Sequence, residues 1–178
     1  NYYGIELSLD MTKAAKDKFP LKDFTVADMH NIPFEDQAFD SVVSLYGPIS
    51  YSLTPEELIS EISRTLKPGG TVALMPYTLR VGHALEMGGF STATNPEIEK
   101  NFYTQEMAEQ ILANFDNIQV IGINYFLNTE VKFAQEMGIE NAWNVDQMVD
   151  FLRKEAIFRD VLKPEMARHM IILGTKKN

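Results

Sequence analysis

Cysteine is absent from the 178 residues. Disulfides, thiolate zinc sites and cysteine nucleophiles are thereby excluded. Long apolar runs are missing as well, since nothing approaches the roughly 20 residues of a membrane-spanning helix. Basic clusters are scarce: 16 Lys and Arg stand against 25 Asp and Glu, for a formal net charge of −9. Apart from Lys176-Lys177 the cations are scattered. A protein that grips a phosphate backbone needs a basic face, so the balance argues against nucleic acid as the main partner. The three histidines and the acids show no metal-ligand spacing, and no metal is expected. Internal repeats and low-complexity tracts are lacking too. Apolar residues make up 45% of the chain, within the globular range, and the length suits one domain with a real core.

The informative stretch runs from Phe24 to Tyr77. Phe24–Ala27 is short, β-prone and stops at Asp28. The run Phe39–Leu45 is apolar almost throughout, as expected of a strand covered on both faces in a parallel sheet. Thr54 can cap a helix, Pro55 fits its first position, and Glu57 completes a capping box. Leu58, Ile59, Ile62 and Leu66 form one apolar stripe at helical spacing. Lys67-Pro68-Gly69-Gly70 ends that helix, and Thr71–Met75 is the next strand. Upstream, Tyr2–Ile5 is a strand ending at Glu6. Ser8 then caps a helix whose buried side is expected to hold Met11, Ala14, Ala15 and Phe19.

Two segments carry a resemblance. Ala27–Ser44 fits the pattern D-x-x-x-(L/I)-P-F-x-(D/E)-x-x-F-D from Asp28 to Asp40, and Arg64–Gly70 reads R-x-L-K-P-G-G. In this order and spacing they resemble the class I S-adenosylmethionine-dependent methyltransferases, in the branch acting on small molecules. The likeness runs from about Tyr2 to Phe126, with a weaker echo at the C-terminus. It implies an α/β, Rossmann-like sheet, mostly parallel, closed by an antiparallel strand pair. Strand candidates lie around 2–6, 24–28, 39–45, 71–76, 118–124 and 169–175. The family order, 3-2-1-4-5-7-6, also implies a first strand and a Gly-rich loop, which would stand before residue 1. Without that strand the neighbours at 2–6 and 39–45 lose the partner between them, and unpaired backbone groups inside a sheet are costly. The chain therefore reads as a segment of a longer methyltransferase. A chain beginning here would need another chain, a homo-oligomer included, to fill the slot, or a rearranged sheet.

The resemblance also implies site residues, with S-adenosylmethionine as the methyl donor. Glu6, at a strand end, would accept from the ribose hydroxyls; its other reading is a solvated strand-end carboxylate. Leu7 and Met11 would flank the adenine. Asp28 would accept from the exocyclic amine while the Met29 backbone N–H meets a ring nitrogen. The alternative for Asp28 is a turn-forming residue that caps its own backbone. Ser44-Leu45-Tyr46-Gly47 ends the fourth family strand and would face the transferring methyl, so Leu45, Tyr46 and Tyr51 are candidates to line it. It is not the Asn/Asp-Pro-Pro-Tyr signature, which argues against base or amide methylation. His83 is the one histidine nominated as a general base. His30 reads as a surface loop residue beside the adenine loop, and His169 as structural.

Beyond Tyr77 the pattern loosens. Thr78–Lys100 is rich in small residues and reads as a lid or as a surface connection. Thr104 caps a helix with Met107, Ala108, Ile111 and Leu112 along one side, before a strand at Asn117–Ile123. Tyr125–Arg168 is too long for a structureless loop. It reads as a helical insertion at 125–168 within a single domain, with a short helix over 130–137 and a longer one capped by Asn144. This insertion is either a cap over the site or an added core and oligomer contact. The expectation is a cytoplasmic enzyme that methylates a small-molecule acceptor; the alternative is a non-catalytic methyltransferase-like binding or oligomerisation module.

Overall fold

The computed structural model describes residues 1–81, 100–123, 125, 150, 153–154, 156–157 and 159–178. The stretch with His83 and most of the insertion, including 130–137 and the start of the helix expected from Asn144, lie outside the described residues. Those described between 150 and 161 are helical.

The strands follow the apolar runs. β1 (Tyr3–Glu6) and β2 (Asp23–Val26) pair in parallel, from Tyr3 opposite Asp23 to Glu6 opposite Val26. Helix α1 (Leu9–Lys18) makes the crossover, and the Ser8 hydroxyl accepts from the Met11 N–H at 3.3 Å. β3 (Phe39–Ser44) and β4 (Leu66–Leu74) pair in parallel through helix α2 (Pro55–Thr65). β6 (His169–Lys176) runs antiparallel to both β4 and β5 (Phe115–Ile123), giving the order β3-β4-β6-β5. Helix α3 (Gln105–Ile111) precedes β5 and is capped by Thr104, which accepts from the Met107 N–H at 3.1 Å. The molecule is thus α/β with mixed pairing, and the last two strands are antiparallel. Among the described residues no ladder joins β1–β2 to the other four strands. β1 and β3 both stand at sheet edges.

The core lies between the four-stranded sheet and the helices α2 and α3. Leu58, Ile59 and Ile62 from α2 meet Leu66, Val72 and Leu74 of β4, Leu112 and Phe115 beyond α3, and Met170 and Ile172 of β6. Each such side chain, once buried, contributes about 1.5–3 kcal/mol.

Four local expectations need correction. The capping box at α2 does not form: Thr54 makes no side-chain bond to the helix backbone and instead donates to Glu57 Oε2 at 2.9 Å. Lys67–Gly70 is not a turn ahead of the strand. β4 starts at Leu66, which pairs with Phe39, and the register then jumps so that Ser41 pairs with Thr71. Residues 67–70 are the bulge that absorbs the difference, with Gly69 at φ +73°. β3 is not covered on both faces, since Val43 is 61% exposed. The stripe of α1 is also open: Met11 and Phe19 are exposed, and Thr12 is the buried residue of that helix. A two-stranded sheet is too narrow to cover it.

Candidate functional site

Parallel pairing brings the ends of β1 and β2 side by side. The Ala27 N–H extends the ladder by donating to the Glu6 carbonyl at 3.0 Å. Glu6 and Asp28 therefore stand at neighbouring tips, the end of an open α/β sheet where ligands bind. Glu6 Oε1 accepts from the Ser8 N–H at 2.9 Å, while Leu7 and Met11 beside it are exposed. Asp28 Oδ1 accepts twice from His30, from the backbone N–H and from ring Nδ1, each at 2.8 Å. The backbone N–H, and then the ring, hold the Asp28 carboxyl below the usual carboxylate range. Asp28 is thus the turn-former of the second sequence reading, yet its carboxylate is still 57% exposed. Among the described residues Glu6 Oε2 and Asp28 Oδ2 carry no hydrogen bond. Met29, partly buried, packs on the core.

The loop after Asp28 is tied to α2. Glu61 Oε2 accepts from the Ile32 N–H at 2.9 Å. Arg64 donates to Glu61, to Asp36 Oδ1, and to the carbonyls of Phe34 (2.8 Å) and Ile32 (2.9 Å). The two sequence signatures are therefore one clasp: the arginine that opens the second holds the Ile-Pro-Phe loop of the first. The bonds from Arg64 to the loop and from His30 to Ser52 were not legible in sequence, because partners 22 to 32 positions apart carry no local signal.

At the carboxyl end of β3, Tyr46 takes φ +62° and is 71% exposed, as is much of Leu45 beside it. For a bulky residue this backbone costs about 1–2 kcal/mol. It is sustained by a pair of bonds, Met75 N–H to the Ser44 carbonyl at 2.8 Å and Gly47 N–H to the Met75 carbonyl at 2.9 Å. The Tyr46 ring lies edge-on to His169, with centroids 6.1 Å apart. Burial, and then the charge of Arg168, pushes His169 below the ordinary histidine value, so its ring is neutral at physiological pH. Tyr51 and Tyr77 share a hydroxyl contact of 3.3 Å, and burial pushes Tyr77 up to about 12. Neither group supplies a strong base here.

Gly47 has φ +95°, and a Cβ there would lie 2.6 Å from the Tyr77 ring. Gly47→Ala is expected to destabilise the fold by about 2–4 kcal/mol in denaturant unfolding. A loss below about 0.5 kcal/mol, the usual surface range, would refute the packing described. A cavity of about 780 Å³ lies elsewhere, between α2 and α3; it is lined by Ile59, Tyr103 and Met107 and includes neither Glu6 nor Asp28.

The family model of a methyltransferase domain matches residues 1–74. The ubiquinone/menaquinone biosynthesis C-methyltransferase UbiE of Campylobacter jejuni is 35% identical over 101 residues, 57% of this chain and 40% of that protein. The chain thus aligns with well under half the length of this curated relative. Among solved structures, an S-adenosylmethionine-dependent methyltransferase of Thermotoga maritima, described as a possible histamine N-methyltransferase, superposes with TM-score 0.67. Its identity is 17%, over 99% of this chain and 73% of its own. Phosphoethanolamine N-methyltransferase 2 of Haemonchus contortus, solved with S-adenosyl-L-methionine, gives TM-score 0.60 at 19% identity, over 99% of this chain and 43% of its own. Over residues 1–74 the chain is thus similar to a methyltransferase domain, and its fold is that of S-adenosylmethionine-dependent methyltransferases of known structure.

Proposed function

We propose that this chain carries the cofactor-binding part of an enzyme that moves a methyl group from S-adenosylmethionine to a small-molecule acceptor. The observation that carries the reading is the pair of carboxylates on adjacent strand tips. Each spends one oxygen on its own loop and keeps the other for a ligand donor. In this reading Glu6 accepts from the ribose diol, and Asp28 accepts from the adenine amine. The Met29 N–H meets a ring nitrogen, and Leu7 and Met11 flank the base. The two acids fit a nucleoside because each leaves one oxygen open as an acceptor, and among the described residues no Lys or Arg pairs with either.

The bound sulfonium supplies the electrophilic methyl. The chain's own part is orientation: holding nucleophile, methyl and sulfur in line yields several kcal/mol without a leaving anion to stabilise. Leu45 and the strained Tyr46 bound the methyl side, and the Tyr46 ring favours a cation at its face. Support for a small acceptor comes from UbiE and the phosphoethanolamine enzyme, and from the charge of −9, which suits neither DNA nor RNA. Within this reading His83 is the candidate general base. No helix among the described residues is long and apolar enough to cross a membrane.

Isothermal titration of the full-length protein with S-adenosylmethionine and with S-adenosylhomocysteine tests the reading. Micromolar binding of both is expected. Absence of binding by a protein that still melts cooperatively would reject it.

A further inference from the structure

His30 does more than close a turn. Its Nδ1 faces Asp28 Oδ1 at 2.8 Å, and its Nε2 lies 2.7 Å from the Ser52 hydroxyl, 22 residues away in sequence. An ionised carboxylate can only accept, so Nδ1 must carry a proton. In the neutral ring Nε2 is then an acceptor, and the Ser52 hydroxyl donates to it. Ser52 is fully buried, and its carbonyl accepts from Asn101 Nδ2 at 2.7 Å. The neighbouring Ser50 carbonyl accepts from the Asn101 N–H, also at 2.7 Å. The order Asp-His-Ser matches that of a hydrolytic triad, but a nucleophile must be reachable, and Ser52 is not. Its burial serves another end: it is a fixed post. The His30 ring is pinned at one end to that post and at the other to the most exposed member of the row.

We infer that His30 is a positioning residue for nucleobase recognition, holding Asp28 Oδ1 against the Ser52 post so that Oδ2 is presented at a fixed angle to an exocyclic amine. The inference rests on the proposed role of Asp28 in binding adenine. An exposed aspartate otherwise rotates about two torsions, and a hydrogen bond from the ligand must stop both. A side chain already fixed makes that bond at less entropic cost, which is the advantage of preorganisation. The same fixing sharpens selectivity. A base carrying oxygen where adenine carries nitrogen sets an acceptor against the carboxylate, and a clamped carboxylate cannot turn away.

The test compares S-adenosylhomocysteine with S-inosylhomocysteine, which differ at that position, by titration on the full-length protein. The wild type is expected to prefer the adenine ligand by about 10- to 100-fold, the worth of a hydrogen bond to a charged group. His30→Phe keeps the ring volume and removes both contacts; the preference should fall about 5-fold or more, with cooperative melting retained. Ser52→Ala removes only the post and should give a smaller fall in the same direction. It also keeps the idea open to test if His30→Phe folds poorly. His30→Asn, whose amide nitrogen occupies the Nδ1 position, should recover part of the preference. A purely structural role would weaken both ligands equally and leave the ratio unmoved. If Asp28→Ala abolishes the preference while His30→Phe and Ser52→Ala keep it at the wild-type value, the positioning role is overturned and the adenine assignment stands. If Asp28→Ala itself leaves the preference intact, the adenine assignment fails and this inference falls with it.

Discussion

Asp28→Ala in the full-length protein is expected to weaken S-adenosylhomocysteine binding by about 10- to 100-fold, with little change in melting temperature. The size follows from the group removed. Asp28 is a charged acceptor at an exposed strand tip, and hydrogen bonds to charged groups are the stronger kind. Its carboxyl is held below the usual range by the backbone N–H and ring of His30, so it stays ionised through the whole physiological range. Binding should therefore show no acid step assignable to Asp28 above the ordinary aspartate value of 3.8. Stability should hardly respond, because the side chain is 57% exposed and its bonds lie within one turn. Titration calorimetry beside a thermal melt checks both halves. Unchanged affinity would remove the adenine role, and a collapsed fold would recast Asp28 as a structural turn.

How far the sequence could be read depended on the range of the interaction involved. Helix α2 was legible because Pro55 and the stripe Leu58, Ile59, Ile62 are local signals, and all three apolar residues are buried. The strand tips were legible for the same reason. An apolar run that stops at an acid, at Glu6 and again at Asp28, marks its own end, and the parallel pairing of β1 with β2 set those ends together. The resemblance supplied what periodicity lacks, namely the sheet order and the expectation of a nucleoside ligand. Errors arose where a competing partner, distant or near, overrode a local preference. Leu66 was assigned to the end of the helix stripe, yet Phe39 pairs with it and pulls Lys67–Gly70 into a bulged strand. Thr54 has the right spacing for a capping box, but its hydroxyl satisfies Glu57 instead of the helix backbone. The exposed faces of α1 and β3 illustrate a third limit. Amphipathic pattern states which face could be buried, while cover depends on strands that lie beside it.

The Glu61–Arg64 clasp makes the last prediction, and it concerns stability. Arg64 touches the Phe34 and Ile32 carbonyls, Asp36 and Glu61 together. Arg64→Met keeps much of the stem and deletes every donor. The Phe34 carbonyl then loses the Arg64 donor, the Ile32 carbonyl is left with the Phe34 N–H alone, and Glu61, whose side chain is only 21% exposed, keeps its charge with no cation beside it. The melting temperature should fall by about 5–10 °C, with faster exchange at the Ile32 amide as its loop loosens. Acid supplies an independent check. Glu61 is held below its ordinary value of 4.5, first by the hydrogen bond from Arg64. A depressed carboxyl adds stability above the unfolded value and loses it as pH falls through the folded one. The gap between wild type and Arg64→Met should thus be full at neutral pH and narrow progressively below pH 4.5. Equal melting temperatures at neutral pH would show that the loop carrying Asp28 does not depend on Arg64. A gap that persists undiminished in acid would instead place the loss in the two carbonyls and leave the ion pair without a role.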